Sequence, residues 1–198
     1  MSRTMLRGRS WELAPLFLGA VVESRIDDEL VRLRLTEVEA YGGEGEDPGS
    51  HAYRRRTPRN ETMFADAGAL YVYFTYGMHW CANVVTGRSD EAGAVLLRAG
   101  EITTGIDIAR SRRPNSSDRD LARGPARLAK ALGLSGDVDG IDVLSRTSPV
   151  RLRLSDPVES VRIGVSPRTG VAGPGSTTPW RFYLKDDPTV SPFKPAKR

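Results

Sequence analysis

The sequence predicts an α+β (mixed α/β) domain that is rich in antiparallel strands. Segments with the composition of β-strands follow one another through turn-like loops, and the regular spacing of βαβ crossovers is missing. The helix-like segments are short. No repeat, long linker or low-complexity tract divides the 198 residues, so residues 1–198 are expected to form a single domain.

The N-terminal half contains a short helix, a long strand and a hairpin. Residues 15–18 predict a helix that ends at Gly19, and residues 29–41 predict a long strand of alternating apolar and polar side chains. Residues 42–60 form a polar, glycine-containing loop. Three further strands are predicted at 69–76, 80–86 and 94–99, of which the last two form a hairpin.

The C-terminal half contains two helices and three short strands. Residues 103–113 predict a helix that stops before Pro114. A second helix has Pro125 in its first turn and Gly133 as its C-cap. Strands are predicted within 150–154, 160–165 and 180–184.

The charge of the chain favours an anionic partner. The formal net charge is +4, and 25 of the 29 cationic residues are arginine, whose planar guanidinium grips phosphate through paired hydrogen bonds. Arginines cluster within residues 54–59 and 110–113. The codon bias of a GC-rich genome also explains the excess of arginine over lysine. The clusters suit a polyanion, with a solvated loop face as the alternative.

Several other classes of protein are disfavoured. The single cysteine, Cys81, rules out a disulfide framework and a four-cysteine zinc site. Glu46, Asp47 and His51 carry metal-binding atoms but lie in a flexible loop, so no metal site and no cofactor are predicted. No apolar run approaches the roughly 18 residues of a membrane span, and the apolar stretch 13–22 lacks a signal-cleavage site. We therefore expect a cytoplasmic protein without membrane contacts.

A window between residues 41 and 79 concentrates candidate functional groups. It contains five of the six tyrosines, both histidines and one arginine cluster. Aromatic faces beside guanidinium groups can stack on a splayed nucleobase, at about 1–3 kcal/mol per base, while the cations neutralise the phosphate backbone. A hairpin core explains Tyr71 well, but it explains the histidines and arginines less well.

Two carboxylates in the long strand are candidate catalytic groups. The apolar face from Val31 to Leu35 continues, with a period of two, into Glu37 and Glu39. A core-facing carboxylate is costly unless it is paired or used, and beside an aromatic ring its raised pKa suits a general acid or base. The alternative is a bulge at Thr36 that exposes both glutamates. The alternation alone does not show which of Glu37 and Glu39 is the catalytic group.

Two polar residues interrupt or end apolar strands. Arg98 follows the apolar run 94–97 and would either pair with a structural carboxylate or hold a catalytic carboxylate or its water. Asn83 lies within an apolar strand and needs hydrogen-bond partners if it is buried. A local bridge to the backbone would also satisfy it.

Several sequence blocks occur together in one order. They are EAY (39–41), His51, RRTPRN (55–60), Met63-Phe64, LYVYFTYGMHWCANVV (70–85) and AVLLRA (94–99), with weaker matches at 124–125, 162–165 and 181–183. Together they resemble the alkyladenine (3-methyladenine) DNA glycosylase family in its short bacterial form. The resemblance implies a single domain with a curved antiparallel β-sheet core surrounded by short helices.

The resemblance implies roles for residues around the reacting bond. Glu39 would activate the water that attacks the sugar C1′, with Arg98 and the backbone carbonyl of Ile163 holding that water. Tyr41 and His51 would stack on one face of the flipped base, and His51 would also hydrogen-bond to it. Tyr73 would cover the other face.

Further implied roles concern discrimination and DNA contact. Asn83 would obstruct the exocyclic amino group of normal guanine, and Tyr76 would enter the duplex in place of the flipped nucleotide. The polar residues of the RRTPRN block would contact the DNA backbone: Arg55, Arg56, Arg59 and Asn60. Val38, His79 and the loop 42–50 depart from the family pattern, which leaves the substrate range open.

Two functional hypotheses follow. The first is a monofunctional glycosylase that flips alkylated or deaminated purines (3-methyladenine type, with hypoxanthine and etheno-adenine as further candidates) out of double-stranded DNA and hydrolyses the N-glycosidic bond. This enzyme is expected to be a monomer at the bacterial nucleoid. The second is a non-catalytic nucleic-acid-binding domain with an Arg/Tyr surface. Glu39 discriminates between them, because a carboxylate beside a phosphate channel repels DNA.

Overall fold

The long strand expected at residues 29–41 is the centre of an eight-stranded antiparallel sheet in the computed structural model, which describes residues 2–196. The strands are β1 (Val21–Ile26), β2 (Glu29–Tyr41), β3 (Leu70–Thr75), β4 (His79–Val85), β5 (Ala94–Thr104), β6 (Val150–Arg153), β7 (Ile163–Ser166) and β8 (Arg181–Leu184). Their order is β3-β4-β5-β2-β1-β6, and β8 pairs with β2 and β7. All of these pairings are antiparallel, which confirms the predicted fold class.

The helices are short and flank the sheet. The α-helices are α1 (Ser10–Leu13), α2 (Ile106–Arg112) and α3 (Pro125–Leu132). Single turns of 3₁₀ helix lie at Arg3–Leu6, Ala14–Phe17, Glu61–Phe64, Asp118–Asp120, Gly136–Val138, Ser160–Arg162 and Gly173–Thr177. Over the part of the chain that the structure describes, no helix has the length and apolar character needed to cross a membrane.

The predicted elements are present with small shifts at their ends. The last α-helix begins at Pro125 and ends at Leu132, with Gly133 as its C-cap, whose left-handed φ of 72° is easily adopted by glycine. The helix predicted at residues 15–18 is a 3₁₀ turn at Ala14–Phe17 that directly follows α1. The helix predicted from residue 103 begins only at Ile106, because β5 runs past residue 103 and Gly105 then turns the chain with a φ of 74°.

The apolar core lies between one face of the sheet and the helices α2 and α3. Val31, Leu33 and Leu35 of β2 are fully buried in it, and Leu128 and Leu132 of α3 pack from the other side. Burying one such side chain stabilises the fold by about 1.5–3 kcal/mol. The core therefore fixes the face on which the first half of β2 points inward.

The face of β2 that points into the core changes half-way along the strand. Register shifts interrupt its pairing with β5 on both sides of Glu37, and the core face passes from Leu35 to Val38 and Ala40. The predicted continuation of the core face into Glu37 and Glu39 is therefore wrong. The alternative bulge occurs, but it does not expose the glutamates, because the chain after β7 and after β8 covers them.

Candidate active site

A cavity of about 490 Å³ opens beside the second half of β2. Its walls come from the loop 42–60, the sheet strands β3 to β5 and the segment after β7. Six predicted site residues line it: Tyr41, His51, Tyr73, Tyr76, Asn83 and Arg98. The structure thus brings together residues that are spread over 58 positions of sequence around one space.

Glu39 is fully buried and is bonded to three residues that line this cavity. Its Oε1 accepts a hydrogen bond of 2.7 Å from the backbone N–H of Thr169, and its Oε2 accepts one of 3.0 Å from the Tyr41 hydroxyl. Arg98 Nη1 lies 3.4 Å from the same Oε2. Burial raises the pKa of Glu39, while Arg98 and the two hydrogen bonds oppose the rise. The result is an oriented carboxylate with raised basicity, which suits a general base.

Glu37 lies in a different environment. Its Oε1 accepts hydrogen bonds from the Nε atoms of Arg98 at 2.7 Å and Arg181 at 2.6 Å, and its Oε2 accepts one of 2.6 Å from the backbone N–H of Ser191. Neither glutamate itself lines the cavity, but Arg98 is the one residue among these three Glu37 partners that does, whereas all three partners of Glu39 do. Arg98 therefore contacts both glutamates: it pairs with Glu37 and lies beside the candidate base.

Aromatic rings form one side of the cavity. The rings of His51 and Tyr73 meet edge-on, with centroids 4.6 Å apart, and His51 Nδ1 lies 3.1 Å from the Tyr71 hydroxyl. A base does not fit between two rings in contact, so the prediction that His51 and Tyr73 cover opposite faces of the base is wrong. Partial burial lowers the pKa of His51, and the charge of Arg59 lowers it further, so the imidazole is neutral at physiological pH. Burial raises the pKa of Tyr71 to about 12 and raises those of Tyr73 and Tyr41 as well, so these phenols stay protonated.

Asn83 is buried at the cavity wall. Its Nδ2 donates a hydrogen bond of 3.1 Å to the carbonyl oxygen of Tyr71, across the β3–β4 pair. The local backbone bridge expected as an alternative is thus present. The same side chain nevertheless lines the cavity.

Tyr76 projects from the tip of the β3–β4 hairpin at the rim of the cavity. It is 86% exposed and adopts a left-handed φ of 52°, and Gly77 follows with a φ of 66°. Simple alternation along β3 would place Tyr76 in the core, but the strand ends at Thr75. Phe74 and Met78 are also exposed, so the hairpin tip carries an apolar surface.

Ile163 is not brought to the cavity. It begins β7, pairs with Leu184, and does not line the cavity. The residue of this region whose backbone reaches Glu39 is Thr169, which lies in the segment after β7. The predicted water contact at the Ile163 carbonyl therefore has no support from the arrangement of the strands.

The predicted DNA-contacting arginines differ in their surroundings. Arg56 is paired with Glu61 and Asp90, each at 2.6 Å, so its charge is neutralised within the protein. Arg55 is exposed, and within residues 2–196 no carboxylate pairs with it. Arg59 is exposed and lies with Nη2 3.4 Å from the Phe74 carbonyl, close to the hairpin tip. The second arginine cluster, at 110–113, bonds to protein carboxylates and carbonyls.

The placement of Asn60 corrects the prediction that it contacts the DNA backbone. Asn60 is buried; its Oδ1 accepts a hydrogen bond of 2.6 Å from the backbone N–H of Thr57. Its Nδ2 donates to the carbonyl oxygens of His51 at 2.8 Å and Arg55 at 3.0 Å. Asn60 therefore stabilises the loop that presents His51.

Sequence reasoning missed an ion pair behind the cavity wall. Arg168, after β7, and Asp47, in the loop 42–60, are both buried and form two hydrogen bonds of 2.6 and 2.7 Å. In the sequence, Asp47 stands out only as a weak candidate metal ligand, and no local pattern indicates that Arg168 is buried or paired. Within residues 2–196 no group of three or more His, Cys, Asp or Glu side chains could hold a metal ion.

A second cavity of about 490 Å³ lies between the N-terminal segment and the loop 86–93. It is lined mainly by glycines and by charged residues of both signs, and none of the predicted site residues lines it. The convergence of the predicted residues therefore distinguishes the first cavity from the second.

Comparison with known proteins identifies the family of the chain. The profile of the methylpurine-DNA glycosylase (MPG) family matches residues 4–188. The chain belongs to the methylpurine-DNA glycosylase family. It is therefore a DNA glycosylase, a DNA-repair hydrolase that acts on N-glycosyl bonds. The alternative of a non-catalytic binding domain is set aside.

Relatives of this glycosylase extend over most of its length. A protein of Streptomyces avermitilis is 50% identical over 185 residues, which cover 92% of this chain and 86% of the relative. One of Leifsonia xyli is 50% identical over 192 residues (93% and 88%), and one of Nocardia farcinica is 49% identical over 186 residues (91% and 85%). All three carry the name "Putative 3-methyladenine DNA glycosylase".

Proposed function

We propose that this glycosylase excises alkylated purines of the 3-methyladenine type from double-stranded DNA, with Glu39 as general base. One observation carries the proposal: the buried carboxylate of Glu39 is held in one orientation beneath an aromatic cavity of about 490 Å³. The names of the relatives point to the same lesion.

The chemistry begins with removal of the damaged base from the stack, which costs a few kcal/mol and least for a damaged base. The flipped base would stack with Tyr41 on one side and with Tyr73 and the adjoining His51 on the other, because the His51 and Tyr73 rings are in contact. Because His51 is neutral and the phenols are protonated, a cationic alkylated purine is attracted by the rings and meets no like charge from them.

Hydrolysis then requires one carboxylate near the sugar. Glu39 takes a proton from water as the water oxygen bonds to an oxocarbenium-like C1′, and the C1′–N bond electrons leave with the base. A cationic base leaves as a neutral molecule without further help. Hypoxanthine and etheno-adenine are neutral and need leaving-group assistance, so we propose them as secondary substrates.

Discrimination and DNA contact would involve residues at the cavity wall and rim. Asn83 would exclude the exocyclic amino group of guanine, and Tyr76 would fill the gap that the flipped nucleotide leaves. Arg55 and Arg59 would contact phosphates. The enzyme would work as a monomer on chromosomal DNA in the bacterial cytoplasm.

The product would be an intact strand with an abasic site. Strand cleavage by a glycosylase requires an amine nucleophile that forms a Schiff base. Lys130, Lys185 and Lys194 do not line the cavity. Lys197, the fourth lysine, lies outside the described residues.

Base release from defined DNA tests the proposal. The substrates are methylated duplex DNA and oligonucleotide duplexes that contain one hypoxanthine or one etheno-adenine. The wild type is expected to release 3-methyladenine, and Glu39→Gln is expected to lose roughly 100-fold or more in the single-turnover rate while it keeps its affinity for DNA. Glu44→Gln, an exposed carboxylate at the second cavity, is the matched control and should behave as the wild type. No release of 3-methyladenine by the wild type, or full activity of Glu39→Gln, would contradict the proposal.

A further inference from the structure

The buried pair of Arg168 and Asp47 fastens two walls of the active-site cavity to each other. Besides its two hydrogen bonds to Asp47, Arg168 donates from Nη1 to the carbonyl oxygen of Ala40 at 2.9 Å. Asp47 accepts hydrogen bonds of 2.9 Å from the backbone N–H groups of Gly42 and Gly49. The segment after β7 is thus tied to the end of β2 and to the loop that follows it.

The contacts of Arg168 lead directly to the candidate base. Its guanidinium carbon lies 4.6 Å from the centroid of the Tyr41 ring. Tyr41 lines the cavity whereas Arg168 does not, so the cation packs behind the ring. The next residue, Thr169, donates its N–H to Glu39. Arg168 therefore positions two of the three groups that contact the Glu39 carboxylate. It packs against the ring of Tyr41, and it precedes Thr169 in the chain.

Two glycines leave room for this guanidinium. A Cβ on Gly49 would lie 2.6 Å from Nη2 of Arg168 and 2.7 Å from Cγ1 of Val171, and one on Gly175 would lie 2.9 Å from the backbone N of Gly49 and 3.2 Å from the same Nη2. Neither glycine has the left-handed φ that would itself require glycine. A side chain at position 49 would therefore press on the guanidinium of Arg168 and on Val171.

Stability alone does not account for such a pair. Desolvation of two buried charges largely offsets their attraction, and apolar replacements of similar volume are often neutral or stabilising. A bidentate Arg–carboxylate pair does, however, fix geometry. We propose that Arg168 is a positioning residue, which holds Tyr41 and Thr169 so that Glu39 faces the attacking water. This inference rests on the proposed role of Glu39 as general base.

The inference predicts a change in the titration of Glu39. Charged and titratable groups surround Glu39 on every neighbouring element: Glu37 and Tyr41 on β2, Tyr73 on β3, Cys81 on β4, Arg98 on β5, Arg181 on β8, and Arg168 with Asp47 behind the wall. Without Arg168, the negative charge of Asp47 is uncompensated and the N–H of Thr169 is no longer held. Both changes raise the pKa of Glu39.

The test measures single-turnover base release against pH for Arg168→Met, Arg168→Lys and Gly49→Ala, on the lesion that the wild type excises. Arg168→Met is expected to lose about 10- to 100-fold in rate, to bind abasic duplex within about threefold of wild type, and to move its acid limb to higher pH. Arg168→Lys keeps the charge but not the fork, so its rate falls while its acid limb moves less than in Arg168→Met, because Asp47 stays compensated. Gly49→Ala presses on the guanidinium and on Val171 without removing either, and should also lower the rate.

Controls separate this inference from the proposed function. Arg151→Met removes an arginine paired with buried Glu23 at the far side of the sheet, and should leave the rate and pH profile unchanged. Wild-type rates and profiles in Arg168→Met and Gly49→Ala, with Glu39→Gln inactive, would overturn the positioning role alone. If Arg168→Met does not fold, a wild-type rate for Gly49→Ala overturns it. Full activity of Glu39→Gln would instead remove the proposed general base.

Discussion

Replacement of Tyr76 by alanine separates an action on DNA from a role in folding. Tyr76 is 86% exposed, so about one-seventh of its surface is buried. A fully buried aromatic side chain covers about 150–250 Å², so Tyr76→Ala removes roughly 30 Å² of contact. At about 25 cal/mol per Å², the loss of unfolding free energy is below about 1 kcal/mol. Alanine meets the same left-handed φ, so backbone strain cancels.

The expected shift in Tm is correspondingly small. For a chain of this size, 1 kcal/mol changes Tm by about 2–4 °C. A core tyrosine would instead cost about 3–5 kcal/mol, which corresponds to a fall of roughly 6–20 °C. Tyr76→Gly should even raise Tm slightly, because glycine adopts the φ of 52° without the roughly 1–2 kcal/mol that other residues lose there.

The functional assay compares duplex with single-stranded substrate. Tyr76→Ala is expected to weaken binding to abasic duplex and to slow excision from duplex about tenfold or more, with a smaller effect on single strands, which have no stack to hold open. Val161→Ala, an exposed apolar residue of the 3₁₀ helix before β7, is the control. A large fall in Tm, or equal slowing on both substrates, would refute the reasoning.

Four further predictions concern the carboxylates and the lysines. Glu37→Gln breaks a buried network with Arg98 and Arg181 and should cost about 3–5 kcal/mol in thermal unfolding, whereas a small cost would contradict its structural role. Burial raises the pKa of Glu39, so the acid limb of single-turnover excision should lie above the ordinary range of a glutamate and should vanish in Glu39→Gln. The linked stability is present at acid pH and is lost as the pH rises through the folded-state pKa, so wild type should lose stability relative to Glu39→Gln as the pH increases. Borohydride should trap no covalent adduct with damaged DNA, and a trapped adduct would show an amine nucleophile.

Local sequence patterns predicted the positions of individual strands and helices. The alternation of residues 29–41 predicted β2, and Pro125 with Gly133 predicted the ends of α3. The start of the helix expected at residue 103 was wrong because strand pairing extended β5. Pairing with a distant strand overrides helix propensity, and this pairing is invisible in a short window of sequence.

Site residues that lie within sequence motifs could be predicted. Site residues that depend on a partner far away in the sequence could not. Tyr41, His51 and Tyr73 all line one cavity, as the motifs predicted, but the contact between the His51 and Tyr73 rings contradicts the implied placement of His51 opposite Tyr73. The pair of Arg168 and Asp47 spans 121 positions, and nothing near either residue indicates the other. Likewise, the sequence of an arginine cluster does not show which of its arginines form ion pairs within the protein, as Arg56 does.

A shift of register within β2, which simple alternation did not predict, allows one strand to contribute to both the core and the site. Pairing with β5 runs from Leu35–Gly100 to Glu37–Ala99 and then to Val38–Leu97, so that Thr36 and Arg98 are passed over. A one-residue shift exchanges the two faces of a strand. Without it, the strand that buries Leu35 would bury both glutamates in the apolar core. With it, Val38 and Ala40 anchor β2 to the core, while Glu39 contacts Tyr41, Arg98 and Thr169, which line the cavity. The irregularity in the sheet is therefore the feature that allows a carboxylate to be rigidly held, buried, and still adjacent to the cavity.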